Sequence, residues 1–119
     1  MTDENGRQPE DVTDVLDVED SRVQSEALRL SLERRGYRVR GAIDGVEGLA
    51  AVREQAPSLI ISDVDIPNMD GYALCEAIKD DPQLRSIPVI LLTSLRHGSR
   101  AGHFPSVVTD DGWTNVAGE

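Results

Sequence analysis

The chain has 119 residues, with 22 acidic against 12 basic side chains and a formal net charge of −10. This length allows one domain with a modest core, and the negative charge argues against direct binding to nucleic acid or to an anionic membrane. No apolar run reaches the roughly 20 residues of a membrane span. The N-terminus is acidic rather than basic and apolar, and the single cysteine, Cys75, cannot form an internal disulfide. We therefore expect a cytoplasmic protein.

Residues 1–11 lack apolar periodicity and are predicted to be a disordered leader. From residue 12 to 94, short apolar runs alternate with amphipathic segments, a pattern typical of βα units that build a parallel sheet. The predicted strands cover residues 12–18, 37–40, 58–63 and 87–93, in that order. The pattern therefore predicts the order β-α-β-α-β-α-β, with an α/β fold.

The predicted helices lie between these strands and carry recognisable start and stop signals. Ser21 with Gln24, and Asp44 with Glu47, have the spacing of a capped helix start. Val23, with the alanine and leucines that follow it, supplies an apolar face to the first helix. Gly36 can adopt the left-handed conformation that ends this helix. The second helix is expected to end before Pro57 and the third before Pro82.

The periodic pattern stops after Thr93, and residues 95–119 are predicted to be an irregular tail. Within this tail only residues 106–109 are a candidate for a very short strand. A sheet that ends at the fourth strand would expose the apolar edge of that strand. Such an edge favours pairing with another chain, so self-association through strand four is expected.

Acidic side chains follow two neighbouring strands of the predicted sheet. Glu19 and Asp20 follow the first strand, and Asp63 ends the third. Because the ends of neighbouring parallel strands lie about 5 Å apart, these three acids should share one pocket. Their repulsion is relieved by a hard divalent cation such as Mg²⁺, after which one acid can attack phosphorus to give an aspartyl phosphate. Thr93, at the end of strand four, could direct its hydroxyl to a phosphoryl oxygen.

Residues 15–21, 45–49, 57–71 and 88–93 resemble the receiver domain of bacterial two-component response regulators. The resemblance implies a flavodoxin-like, doubly wound sheet with strand order 2-1-3-4-5. It also implies that Asp63 is the phosphoacceptor and Thr93 the switch hydroxyl. By the same resemblance, Glu19 and Asp20 would bind the metal together with the backbone carbonyl of Asp65. The implied partners are a histidine kinase or phosphotransfer protein and an unnamed output, in a signalling domain rather than an enzyme.

The sequence departs from the receiver pattern in three respects. The fourth helix, fifth strand and fifth helix are not recognisable, as in a truncated or frameshifted gene. The lysine that follows strand five is missing, because the only lysine is Lys79 in the third helix. Asp17 occupies a strand position that is usually aliphatic, and burying it ionised and unpaired would cost several kcal/mol unless that face stays wet.

These departures leave two alternatives to the phosphoacceptor interpretation. One is a degenerate pseudo-receiver that binds a partner without chemistry, or a fragment without function. The other is an enzyme, since Asp63-Val64-Asp65 has the Asp-x-Asp form of haloacid-dehalogenase-type phosphatases. In those enzymes the second acid is an acid/base catalyst.

Overall fold

The computed structural model describes residues 13–92 in full and the backbone of two further strands, at 106–109 and 112–115. The predicted leader, Thr93 and the other residues of the predicted tail lie outside the described residues. In chain order the elements are β1 (Asp14–Val18), α1 (Arg22–Glu33), β2 (Arg38–Ala42), α2 (Gly45–Glu54), β3 (Leu59–Asp63), α3 (Gly71–Lys79), β4 (Val89–Leu92), β5 (Ser106–Thr109) and β6 (Gly112–Asn115).

The strands form one sheet in the order β2-β1-β3-β4-β5-β6. β1 to β4 are parallel, as predicted, and reproduce the first four positions of the flavodoxin-like order. Within the described part of the chain, three helices connect these four strands. The predicted βα order is therefore confirmed, with strand ends that differ from the prediction by at most two residues.

The expectation of an exposed strand four was wrong. β5 pairs with β4 in antiparallel orientation, with Val107 opposite Ile90, and β6 pairs with β5. Only two residues separate β5 from β6, which is the commonest length of a hairpin loop. The predicted irregular tail thus contains a hairpin, and pairing within the chain takes the place of the self-association that an open β4 would favour.

The helix starts follow the predicted capping signals. The Ser21 hydroxyl accepts the Gln24 N–H at 3.3 Å, and an Asp44 carboxylate oxygen accepts the Glu47 N–H at 2.7 Å. Asp70 caps α3 in the same way, through the Ala73 N–H at 2.8 Å. Each cap satisfies a backbone donor that the first turn of a helix cannot satisfy itself. After α1 the chain passes through Gly36, whose φ of 94° is left-handed, as predicted.

Most of the core lies on one face of the sheet, between the strands and the pair of helices α2 and α3. Residues that are almost fully buried there come from each of these elements: Leu16, Val18, Val52, Ile60, Leu74, Ile78, Val89 and Leu91. α1 contacts β1 and β2 but contains no buried residue. Val23, which the sequence places on the apolar face of this helix, is 80% exposed. No described helix has the length and apolarity that crossing a membrane requires.

Candidate functional site

Strand register brings the three predicted acids to the same edge of the sheet. Val18, the last residue of β1, lies opposite Ser62, so the residues that follow β1 stand beside the end of β3. Asp63 is the last residue of β3 and lies opposite Leu92, the last residue of β4. A hydrogen bond from the Glu19 N–H to the Ala42 carbonyl, 2.9 Å long, continues the β1–β2 pairing one residue further. The sheet therefore fixes the backbone at Glu19 and Asp63, and Asp20 follows Glu19 directly.

The carboxylates of Glu19, Asp20 and Asp63 converge, with one oxygen from each lying within 4.8 Å of the others. Asp63 is buried, Glu19 is half-buried and Asp20 is exposed. A carboxylate oxygen of Glu19 accepts the Ser21 N–H at 2.9 Å, which ties this side chain to the start of α1. Three converging hard oxygen ligands match the coordination preference of Mg²⁺, which keeps several of its waters.

The electrostatics of the cluster also favour a cation. Burial raises the pKa of Glu19 above its ordinary value, and the Ser21 N–H offsets part of this effect. The nearby carboxylates of Asp63, Asp17 and Asp20 raise the pKa further. A divalent ion removes both unfavourable effects, because it replaces lost hydration and opposes the negative charge. The donor set therefore fits a magnesium ion.

Asp17 is buried rather than wet, and its partner is on α1. The Ser25 hydroxyl donates a hydrogen bond of 2.9 Å to an Asp17 carboxylate oxygen, and only 3% of Asp17 is exposed. Burial raises the pKa of Asp17, the Ser25 hydrogen bond opposes that rise, and the charge of Asp63 adds to it. The expected penalty for an acid at this strand position is thus reduced by a hydroxyl from the covering helix. The sequence contained both residues but no signal that they meet.

The raised pKa of Asp17 predicts an unusual dependence of stability on pH. A carboxyl whose pKa is higher in the folded state than its ordinary value of 3.8 takes up a proton on folding. Its stabilising contribution is present at low pH and is lost as the pH rises through the folded pKa. Urea unfolding in the presence of a magnesium chelator should therefore show a component of stability that increases as the pH is lowered from neutral toward the ordinary value of 3.8. Asp17→Asn should reduce this pH dependence of the free energy of unfolding, whereas Asp80→Asn, at an exposed position, should leave it unchanged. Equal pH dependence in the native chain and both variants would contradict the prediction.

The loop from residue 64 to 70 encloses the Asp63 side of the cluster. The Asp65 N–H donates to an Asp63 carboxylate oxygen at 3.3 Å, so loop backbone directly contacts this acid. The loop folds on itself through the Val64 carbonyl, which accepts the Ile66 N–H at 3.1 Å and the Gly71 N–H at 3.0 Å. Ile66 is buried against the core. Asp65 is therefore held over the pocket by short-range contacts.

Two other residues named in the sequence analysis are Thr93 and Lys79. Thr93 is outside the described residues, although Leu92 before it lies opposite Asp63. Lys79, the only lysine, donates to the carbonyls of Arg85 at 2.9 Å and Ile87 at 2.6 Å. It thus stabilises the connection between α3 and β4. As predicted from its position in the third helix, Lys79 does not replace the lysine that follows strand five in receivers.

Comparison with known proteins decides the family. The model of the response regulator receiver domain matches residues 15–104, which is most of the chain. The chain belongs to the response regulator receiver domain family. Transcriptional regulatory protein AfsQ1 of Streptomyces coelicolor is 45% identical to this receiver over 80 residues, which are 67% of this chain and 34% of that protein. The chain therefore spans about a third of the length of this curated relative.

Solved receiver structures agree in fold. The signal receiver domain of a histidine kinase from Syntrophus aciditrophicus is 49% identical and superposes with a TM-score of 0.69, over 71% of this chain and 64% of that one. The receiver domain of a sensor histidine kinase from Pseudomonas aeruginosa is 29% identical, with a TM-score of 0.68 over 76% of this chain and 75% of that one. That structure has a magnesium ion coordinated in its active site cleft. The family match favours a signalling receiver over the Asp-x-Asp phosphatase.

Proposed function

We propose that this receiver is a phosphoacceptor in a two-component phosphorelay, and that Asp63 takes a phosphoryl group from a histidine kinase or phosphotransfer protein. The observation that carries this proposal is the convergence of Glu19, Asp20 and Asp63 within 4.8 Å at the carboxyl edge of a parallel sheet. In this proposal the three carboxylates and the backbone carbonyl of Asp65 hold Mg²⁺. The negative charge and the single buried cysteine fit a reducing cytoplasm.

The three acids have different parts in the proposed reaction. When bound, Mg²⁺ neutralises the carboxylates and offers a positive charge to phosphoryl oxygens. A carboxylate oxygen of Asp63 then forms the new O–P bond as the N–P bond of a phosphohistidine breaks, and the imidazole nitrogen keeps the electron pair and gains a proton. Glu19, held by the Ser21 N–H, and Asp20 fix the cation beside this reaction without bonding to phosphorus. The Asp65 N–H orients the attacking carboxylate.

Thr93 completes the proposal as the hydroxyl that contacts the phosphoryl group. It follows Leu92, which lies opposite Asp63 in the sheet, so β4 leads the chain to this edge of the pocket. A hydroxyl donor there would stabilise the charge of the transferred group.

The experiment is to incubate the full chain with Mg²⁺ and a small acyl phosphate, and to measure the intact mass. We expect one added phosphoryl unit on the native chain and none on Asp63→Asn. The matched control is Asp80→Asn, which removes the same charge from an exposed position after α3 and should still be modified. Addition that persists in Asp63→Asn would contradict the assignment of the acceptor.

The pseudo-receiver remains the second candidate because the only lysine bonds the Arg85 and Ile87 carbonyls. It predicts no adduct on the native chain at any Mg²⁺ concentration, and partner binding that is unchanged by Asp63→Asn. The variant Asp65→Asn distinguishes the phosphatase alternative from the phosphoacceptor. Sustained turnover of a phosphate ester that is lost in Asp65→Asn would support an acid/base role for that side chain. A phosphoacceptor needs only the backbone of residue 65.

A further inference from the structure

The loop over Asp63 is connected to the start of α2 by a side-chain hydrogen bond. The Asn68 amide nitrogen donates to a carboxylate oxygen of Asp44 at 2.6 Å. The other oxygen of Asp44 caps α2 through the Glu47 N–H at 2.7 Å. Both oxygens of one carboxylate are therefore used, one by the helix and one by the loop. The Glu47 N–H, and after it the Asn68 amide, lower the pKa of Asp44, which keeps this acceptor charged.

The backbone at Asn68 matches this contact. Asn68 is the one described non-glycine residue with a positive φ, 70°, a left-handed conformation that asparagine tolerates better than most side chains. This conformation turns the loop, and the Met69 N–H then closes a short turn onto the Pro67 carbonyl at 2.7 Å. The next residue, Asp70, caps α3. The turn at Asn68 therefore determines both where the loop crosses α2 and where α3 begins.

We infer that the Asp44–Asn68 hydrogen bond is a clamp that positions the 64–70 loop against Asp63, so that both are positioning residues for the metal and phosphoryl site. Neither belongs to the acidic cluster. The connection runs from the clamp through the loop to Asp65, whose N–H contacts Asp63. The expected effect of the clamp on Mg²⁺ affinity rests on the function proposed above. Its expected effect on the position of the 64–70 loop does not.

The test uses variants that each remove the bond and keep the local backbone. Asn68→Gly deletes the amide and retains the left-handed φ. Asp44→Ser deletes the acceptor and retains a side chain that caps α2. Glu47→Gln is the matched control, since it removes one negative charge from the same helix start and keeps the oxygen that accepts the Ile43 N–H. Asp44→Asn combined with Asn68→Asp exchanges donor and acceptor at constant net charge.

We expect Asn68→Gly and Asp44→Ser to raise the Kd for Mg²⁺, measured by calorimetry, roughly 2- to 10-fold, the range for one hydrogen bond. Glu47→Gln should change it less than either. The exchanged pair should bind Mg²⁺ more tightly than Asn68→Asp alone. Rescue of this kind is not expected if the two residues contribute only helix capping and turn formation. Equal Kd values for the native chain, Asn68→Gly and Asp44→Ser would overturn the clamp while leaving the proposed function intact.

A second readout needs no metal. In the presence of a chelator, amide hydrogen exchange at Asp65 and Ile66 should be faster in Asn68→Gly than in the native chain, with exchange in β1 unchanged. If the native chain fails to bind Mg²⁺ but this difference is seen, the proposed function fails and the clamp stands. Unchanged exchange at both amides would overturn the clamp whatever the metal does.

Discussion

Gly45→Ala is expected to lower the free energy of unfolding by about 3 kcal/mol or more and to disable the site. An added Cβ at Gly45 would lie 2.0 Å from the carbonyl oxygen of Met69 and 2.7 Å from its carbonyl carbon. Neither atom belongs to a flexible side-chain end, so either the loop or the start of α2 has to move. The gain of about 1 kcal/mol that alanine usually gives in a helix cannot offset this clash.

Gly41→Ala is the matched control for this prediction. The nearest atoms to an added Cβ at Gly41 are the Asp17 carbonyl oxygen at 3.9 Å and the Ser25 hydroxyl oxygen at 4.0 Å, which is ordinary contact. Alanine there should be neutral or slightly stabilising, because glycine weakens a strand interior. Urea unfolding of both variants measures the difference. Equal stabilities would show that α2 and the loop do not approach as closely as described.

The close approach at Gly45 and the Asp44–Asn68 bond are adjacent parts of one contact. Met69, which limits the side chain at position 45, follows Asn68, which binds Asp44. A variant at Gly45 should therefore also displace the loop that contacts Asp63. We expect Gly45→Ala to weaken Mg²⁺ binding more than Asn68→Gly does. The added methyl group of Gly45→Ala displaces the loop, whereas Asn68→Gly only removes a hydrogen bond that holds it.

The parallel part of the fold was predictable because its signals are local. Apolar runs, capping residues and Gly36 each act within a few residues, and they specify the elements from β1 to β4. The convergence of Glu19 and Asp20 with Asp63 also followed, because parallel strands place their carboxyl ends at one edge. The sequence predicted the edge of the sheet at which the acids lie, but not the hydrogen bonds that orient their side chains.

The features that were missed depend on contacts between distant segments. Residues 106–109 were predicted as a candidate for a very short strand, but neither their pairing with β4 nor the strand β6 that follows was predicted. Ser25 and Asp17 meet because α1 crosses β1, and no periodicity indicates that a serine faces an acid. Asp44 was predicted as a cap for α2, which accounts for one carboxylate oxygen. Its second partner, Asn68, comes from a loop that is 24 residues further along the chain.

Asp20→Asn is expected to change stability in opposite directions without and with Mg²⁺. In a chelator the variant should be more stable than the native chain by a few tenths to about 1 kcal/mol, because one of three converging carboxylates has lost its charge. With Mg²⁺ at about 100 times its Kd for the native chain, the native free energy of unfolding should rise by about 2.7 kcal/mol. The variant should gain much less, because an amide is a weaker ligand than a carboxylate.

This reversal separates metal binding from a purely structural role. If Asp20 had only a structural role, Asp20→Asn would change the free energy of unfolding in the same direction with chelator and with Mg²⁺. Asp80→Asn removes a charge far from the cluster and should respond to Mg²⁺ as the native chain does. The response should also weaken as the pH falls, since the raised pKa of Glu19 lets protons compete with the cation for that carboxylate. Thermal or urea unfolding at two pH values, with Mg²⁺ and with chelator, tests both effects. Equal stabilisation of the native chain and Asp20→Asn by Mg²⁺ would remove Asp20 from the metal site.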